Sequence, residues 1–308
     1  MNLKVKINGK NYEAEKGEYI LDLCRRNRIL IPTLCQHDSL AGLGACRLCV
    51  VEVNEGKGNN VVVSCVYPLK GDCEIFTESE KIKNIRRTIL SMLITRAPAG
   101  DRLASLCQIY GVPANERFSI PSGGKGGSHT KNPQEKRLNE ACVLCGLCVQ
   151  ACASLGTGAI SAVSRGVEKK ISTPFGEPSA DCIGCGSCAS VCPTKAIECT
   201  ESQALRGNAG YRNIWGKKFK LLRCSSCGSS FATEEEFAYA LARADTSGCE
   251  KSSIPDKKSP ARRALPGSDI PGDTSCDASC DALCDVLCDA CRKKEIAGVF
   301  AAAFGERV

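Results

Sequence analysis

The chain has 308 residues, which suits two or three compact modules better than one small one. Aromatic residues make up only 5% while 24 residues are Cys, so metal or covalent staples are expected to supplement apolar packing. Lys and Arg exceed Asp and Glu by 41 to 34, but this +7 balance treats every Cys as neutral. Metal-bound thiolates would bring it close to zero, which removes the charge argument for a nucleic-acid partner.

The opening MNLKVKINGK has no basic run followed by an apolar one, so no secretory signal is expected and the setting should be reducing and cytoplasmic. Cysteines there usually mean metal. Residues 2 to 15 alternate Leu3, Val5, Ile7 and then Tyr12, Ala14 around Asn8-Gly9, which predicts a β-hairpin. Glu18 to Arg28 carries Ile20, Leu21, Leu23 and Cys24 at helical spacing. Strand-like runs follow at Cys49 to Val53 and Val61 to Val66, the order of a β-grasp sheet covered by a helix.

Residues 79 to 110 read as helix, with Ile82, Ile85, Ile89, Leu90 and Leu93 on one face, a break near Pro98 and a shorter helix from Asp101 to Tyr110. Ser119 to Pro133 is rich in Gly, Ser and Lys and reads as a loop, and Gly123-Gly124-Lys125-Gly126-Gly127 lacks the spacing of a phosphate loop. Residues 138 to 202 are a duplicated cysteine unit, and about 245–275 has the Ser, Pro, Lys and Asp composition of a disordered insertion. Near the end, the apolar stretch Ile296 to Phe304 is about half of a membrane span. The expected class is α+β, with modules at 1–78, 79–137, 138–202 and 203–308.

The most specific motif is the pair of runs Cys142-x2-Cys145-x2-Cys148-x3-Cys152 and Cys182-x2-Cys185-x2-Cys188-x3-Cys192-Pro193. Three closely spaced cysteines wrap one cubane, while the fourth is carried away to the other. One [4Fe–4S] cluster is therefore expected on Cys142, Cys145, Cys148 and Cys192, and a second on Cys182, Cys185, Cys188 and Cys152. Zinc would instead take paired C-x2-C ligands. This half resembles bacterial two-cluster ferredoxins, including Gly146 and Gly184 or Gly186 where the loops need small residues, with Ala153 where the run's proline would sit.

A second set, Cys35-x10-Cys46-x2-Cys49-x15-Cys65, has the long first loop, close pair and distant fourth thiolate of a [2Fe–2S] site, with a wider first gap than plant ferredoxins. Pro32-x2-Cys35, Gly44-x-Cys46-Arg47-x-Cys49 and the Val50-Val51-Glu52-Val53 strand are similar to the N-terminal part of the large iron–sulfur subunit of respiratory complex I. They are similar too to the small diaphorase subunits of NAD-dependent hydrogenases and formate dehydrogenases. With the dicluster module, the resemblance covers about residues 1 to 200. The extra cluster often held in that family by one His and three Cys is not expected, because residues 80 to 140 offer only Cys107 and His129.

A third set, Cys224-x2-Cys227 with Cys288-x2-Cys291, can close a tetrahedral four-sulfur site for structural zinc or rubredoxin-like iron. RCSSCGSSF and LCDACR look like the C-terminal tail of ferredoxin-like subunits in formate hydrogenlyase-type complexes. Cys276, Cys280 and Cys284 repeat every four residues, a straight stripe that cannot wrap a cubane and reads as helix packing. Cys24, Cys73, Cys107 and Cys199 read as buried thiols and His37 as a local hydrogen-bonding residue.

No dinucleotide turn or flavin, molybdopterin or hydrogenase-centre motif is recognisable, so the chain is expected to conduct electrons rather than catalyse. The resemblance implies a flavin/NADH-binding subunit on one side, and a hydrogenase or formate dehydrogenase type catalytic subunit on the other, in a cytoplasmic anaerobic complex. The rival readings are a subunit of an oxidoreductase that does not use NADH, a chain with its own redox-active thiol centre, and a zinc-stabilised binding protein. Neither nucleic acid nor direct membrane insertion is expected.

Overall fold

The computed structural model describes residues 2–56, 58–113, 138, 140–202, 210–224 and 227–246. The chain divides into two compact units, one of residues 1–181 and 186–198, the other of 182–185 and 199–308. The Gly-rich loop, the insertion at about 245–275, His129, and Cys249, Cys276, Cys280, Cys284, Cys288 and Cys291 lie outside the described residues.

In the first unit, β1 (Asn2–Ile7) and β2 (Lys10–Glu15) form the expected hairpin, pairing Leu3 with Ala14 and Val5 with Tyr12. Asn8 (φ 47°) and Gly9 (φ 85°) both take the left-handed conformation that a tight primed turn requires. With β3 (Val50–Asn54), β4 (Asn59–Val63) and β5 (Cys73–Phe76) they build a five-stranded sheet in the order β2-β1-β5-β3-β4. The β1–β5 pair is parallel and the others are antiparallel. β5 sits mid-sheet although no strand is expected there, because only Ile75 of Cys-Glu-Ile-Phe is fully buried and the segment shows no clear alternation.

The helix α1 (Ile20–Arg26) is shorter at both ends than its periodic pattern. It lays Ile20, Leu23 and Cys24 against Val5, Ile7, Val51, Val53 and Ile75. Each such aliphatic side chain contributes about 1.5–3 kcal/mol on burial.

The helix α2 (Glu80–Arg96) starts at Ser79, whose hydroxyl accepts the Ile82 N–H at 3.3 Å, and α3 (Asp101–Ile109) follows the break. The buried row on α2 is Ile82, Arg86, Leu90 and Ile94, every fourth residue. It is rotated from the expected apolar face, so Ile89 and Leu93 are only partly buried and a guanidinium occupies the core. Beyond α3 the unit contains α4 (Leu147–Ser154), the two-stranded β6 (Ser161–Val163) and β7 (Lys170–Ser172), and the short α5 (Ser187–Ser190).

The helices of residues 79–110 belong to the core of the unit. Leu90, Ile94, Leu103 and Cys107 pack together with Leu34, Cys35, Cys46 and Leu48 and with Val143, Cys145 and Leu147. Polar ties reinforce this: Ala99 N–H donates to Glu140 O at 3.0 Å, and Arg96 donates to the carbonyls of Val167 (3.2 Å) and Lys169 (2.6 Å).

The second unit is built on an antiparallel sheet of β8 (Cys199–Ser202), β9 (Tyr211–Ile214), β10 (Lys217–Arg223) and β11 (Ser230–Thr233), with α6 (Glu234–Thr246) packed on β10 and β11. Trp215 (φ 53°) and Gly216 (φ 75°) form the β9–β10 turn, and β10 buries Phe219, between Lys218 and Lys220, together with Leu221 and Leu222. The sheet begins at Cys199, ahead of the boundary expected at residue 202. Among the described residues, no helix is long and apolar enough to cross a membrane.

Candidate iron–sulfur sites

Cys35, Cys46, Cys49 and Cys65 are all buried, at 1%, 6%, 1% and 5% exposure, and none is in a disulfide. Cys35 precedes the loop, Cys46 and Cys49 flank the turn into β3, and Cys65 follows β4. Positive φ at Gly44 (61°) and Arg47 (58°) lets the loop curl back on itself. The Cys35 and Cys46 sulfurs lie 3.4 Å apart, with the Leu34 N–H aimed at Cys46 Sγ (3.4 Å) and the Cys46 N–H at Cys35 Sγ (3.3 Å).

Those donors favour thiolates. The Cys35 thiol, donating to Cys46, holds Cys46 down to about 6, and Cys65 holds Cys49 down to about 6 in the same way, while their two partners are pushed up. Four soft sulfurs converge in a dry site with backbone N–H groups turned toward sulfur, and this fits a [2Fe–2S] cluster. His37 serves the turn instead: its Nδ1 accepts the Ser39 N–H at 3.3 Å.

Cys142, Cys145, Cys148 and Cys192 line one hollow with Val143, Ile171 and Ile197, so the fourth thiol of the second run joins three from the first. Burial pushes Cys142, Cys145 (to about 12) and Cys148 up, and the neighbouring thiols of the group push them further. Opposing this at Cys142, the Leu144 N–H points at its Sγ (3.4 Å); the Ala196 N–H lies 3.2 Å from Cys192 Sγ. Four thiols crowded this closely in an apolar hollow can ionise together only around a cationic centre, as a cubane provides.

The loop of each run turns on two left-handed residues, Leu144 (φ 53°) and Gly146 (φ 80°) in the first, Gly184 (φ 71°) and Gly186 (φ 76°) in the second. Both Gly184 and Gly186 thus take the left-handed conformation, which glycine adopts without strain, although Leu144 holds it in the first run. Ala153 has a visible consequence. α4 continues through it to Ser154, whereas α5 ends at Ser190, ahead of Pro193.

In the remaining set, Cys152 and Cys188 belong to the first unit, and Cys182 and Cys185 to the second. The Cys152 sulfur lies 3.1 Å from Thr157 Oγ1. In the second unit, Lys217 Nζ donates to the Cys182 carbonyl (3.4 Å), Thr233 Oγ1 to the Ile183 carbonyl (2.5 Å) and Arg212 to the Gly184 carbonyl (2.9 Å), fixing that loop.

At the end of β10, the Cys224 N–H donates to Ser229 O (2.9 Å) and the Gly228 N–H returns to Cys224 O (2.8 Å), with Gly228 at φ 69°. This tight turn leaves Cys224 buried and Cys227 exposed. Their expected partners Cys288 and Cys291 lie outside the described residues. Cys24 and Cys107 are buried thiols, and Cys73 and Cys199 are half-buried.

Arg86 is the functional candidate that sequence reasoning missed. A lone arginine in a helix reads as a solvent-facing residue, whereas here it is fully buried, bonded to the carbonyls on either side of Cys49.

Residues 1–80 match the 2Fe-2S iron-sulfur cluster binding domain family, and residues 141–196 match the 4Fe-4S dicluster domain family. Among curated relatives, the NADP-reducing hydrogenase subunit HndD of Solidesulfovibrio fructosivorans is 32% identical over 63% of this chain and 36% of its own length. The NADH-ubiquinone oxidoreductase 75 kDa subunit of Reclinomonas americana is 31% identical over 56% of this chain and 26% of its length. The chain thus spans about a third or less of these relatives. A solved NAD+-reducing [NiFe]-hydrogenase in the H2-reduced state matches with TM-score 0.45 and 26% identity, over 56% of this chain and 74% of that one. The chain carries one [2Fe–2S] and two [4Fe–4S] clusters in these two domains, and it resembles the iron–sulfur subunits of NAD(P)-linked hydrogenases and of complex I.

Proposed function

We propose that the chain relays single electrons through its clusters, between a flavin/NADH-binding subunit and a catalytic subunit of hydrogenase or formate dehydrogenase type, in a cytoplasmic anaerobic complex. The observation that carries the relay is the shared core of the first unit. Cys46 of the N-terminal site and Cys145 of the dicluster loop belong to one buried cluster with Leu48, Val143 and Leu147. Two one-electron centres held in one rigid core keep a fixed spacing, the first requirement of a wire. The five-stranded sheet with α1 across it is read as a β-grasp domain.

Iron–sulfur clusters supply reversible one-electron storage at potentials set by hydrogen bonds, charge and burial. Everything else falls to this chain. Cys35, Cys46, Cys49 and Cys65 hold the [2Fe–2S] cluster; Cys142, Cys145, Cys148 and Cys192 one [4Fe–4S] cluster; Cys182, Cys185, Cys188 and Cys152 the other. The N–H groups of Leu34, Cys46, Leu144 and Ala196 offset thiolate charge, and the apolar walls exclude water. Cys224, Cys227, Cys288 and Cys291 are read as a structural site for zinc or rubredoxin-like iron.

Anaerobic purification with identification of the accompanying subunits tests the partner assignment. A complex lacking any flavin- or NAD(H)-binding subunit would favour an oxidoreductase that does not use NADH. Activity of the isolated chain toward NADH or formate would overturn the non-catalytic reading.

A further inference from the structure

A buried arginine needs partners for every donor or its burial is prohibitive. Arg86 on α2 is 0% exposed, and two of its four hydrogen-bond partners bear on one place. Its Nε donates to the Leu48 carbonyl at 3.1 Å and its Nη2 to the Val50 carbonyl at 2.9 Å. Its Nη1 donates to Tyr110 OH at 2.9 Å and to Glu78 Oε1 at 2.6 Å. Leu48 and Val50 are the residues on either side of Cys49. The Cys49 carbonyl between them accepts the Ser64 N–H (3.1 Å) and the Ser64 hydroxyl (2.7 Å), and Ser64 is itself fully buried. Three consecutive carbonyls are therefore clamped, two of them by one planar cation.

The charge is as unusual as the geometry. Glu78, the carboxylate paired with Arg86, has 46% of its side chain exposed, so solvent screens the anion far more than the cation. The guanidinium charge beside the Leu48 and Val50 carbonyls is therefore only partly offset by its own carboxylate. Reduction of a cluster held there adds one negative charge, which a nearby cation favours.

We propose that Arg86 is the positioning residue of the N-terminal [2Fe–2S] site, clamping the peptides around Cys49 and raising the cluster's reduction potential through its buried charge. This rests on the assignment of Cys35, Cys46, Cys49 and Cys65 as the cluster ligands. A bidentate clamp needs the guanidinium fork, and lysine would retain only the charge.

The test is a mediated redox titration of the full chain, followed by the low-temperature EPR signal of the reduced [2Fe–2S] cluster. Arg86→Gln is expected to shift the midpoint potential negative. Arg86→Lys should lie nearer the unaltered protein in potential, yet show altered g-values from the loosened Cys49 peptides. Glu78→Gln, at a half-exposed position, should shift the potential positive, because it removes the counter-charge and leaves the clamp in place. An Arg86→Gln protein that keeps its cluster at an unchanged potential would overturn the proposal. If that variant assembles no cluster, the other two decide: an unchanged potential in Glu78→Gln, or a Gln-like negative shift in a cluster-bearing Arg86→Lys, would overturn it equally. Absence of any [2Fe–2S] signal in the unaltered chain is a different result, which removes the ligand assignment and this inference with it.

Discussion

The ring of Phe219 packs against the backbone of Gly184: a Cβ at that glycine would lie 2.5 Å from Phe219 Cγ and 2.7–2.8 Å from its Cδ atoms. Gly184 also holds φ 71°, and Phe219 is fully buried with Lys217 Nζ 4.7 Å from its ring centre. The β10 strand and the Cys182–Cys185 loop are thus fitted to each other without room for a methyl group.

Gly184→Ala should therefore be costly twice over, by about 1–2 kcal/mol for a left-handed non-glycine residue and about 1–3 kcal/mol for overpacking. The loop that offers Cys182 and Cys185 should distort. Iron content is expected to fall from about ten atoms per chain toward six, with the N-terminal [2Fe–2S] EPR signal retained. Full iron loading would show that the ring yields and the loop does not depend on it.

Sequence made some of this visible and hid the rest for identifiable reasons. Asn8-Gly9 announces its turn because both positions need positive φ, and the Cys142 and Cys182 runs announce clusters because their spacing encodes a wrapped loop. The β8–β11 sheet is hidden because Lys-Lys-Phe-Lys-Leu-Leu-Arg breaks the alternation, burying the consecutive Leu221 and Leu222 after Phe219, and its turn is Trp215-Gly216 rather than an Asn-Gly type. Arg86 is hidden because its worth lies in carbonyls 36 and 38 residues away in the chain. The α2 face is misjudged for the same reason, since the arginine takes a position that periodicity assigns to an apolar residue.

Cys192→Ser should damage the cluster on Cys142, Cys145 and Cys148 rather than the one nearest in sequence, because Cys192 lines the first run's hollow. A serine hydroxyl, though it can still accept the Ala196 N–H now directed at sulfur, replaces a soft thiolate ligand poorly. Differential loss of one of the two [4Fe–4S] EPR signals, compared with Cys142→Ser, checks it. If the two variants lose different clusters, the crossover is wrong.

Glu52 on β3 ties the sheet to the start of α2. Its carboxylate accepts hydrogen bonds from the capping hydroxyl of Ser79 and from Lys81 Nζ (3.3 Å), which hold its pKa below the ordinary carboxylate value. A depressed folded-state pKa stabilises above the unfolded value of about 4.3, and that stabilisation is lost as pH falls through the folded value. Glu52→Gln should cost about 1 kcal/mol at pH 7. The urea-denaturation difference between the two proteins should stay constant down to about pH 5 and narrow below it. A difference that is the same at pH 4 as at pH 7 would place the effect elsewhere.

The turn at Cys224 offers two cysteines in a preformed loop, closed by the Cys224–Ser229 and Gly228–Cys224 backbone bonds and by Arg223 Nε on the Gly228 carbonyl at 3.0 Å. A four-sulfur site completed by Cys288 and Cys291 would contribute folding energy directly, since metal affinity becomes stability wherever the site forms only on folding. It would lie outside the electron path, joined by a Ser-, Pro- and Lys-rich stretch whose composition cannot fix a short transfer distance. Replacing Cys224 and Cys291 together by Ser should remove one metal atom per chain, lower the stability of the C-terminal unit, and weaken assembly with the partner subunits. Electron transfer through whatever complex still forms should change little. A variant that assembles normally, keeps all three clusters and still transfers no electrons would place the C-terminal centre within the wire.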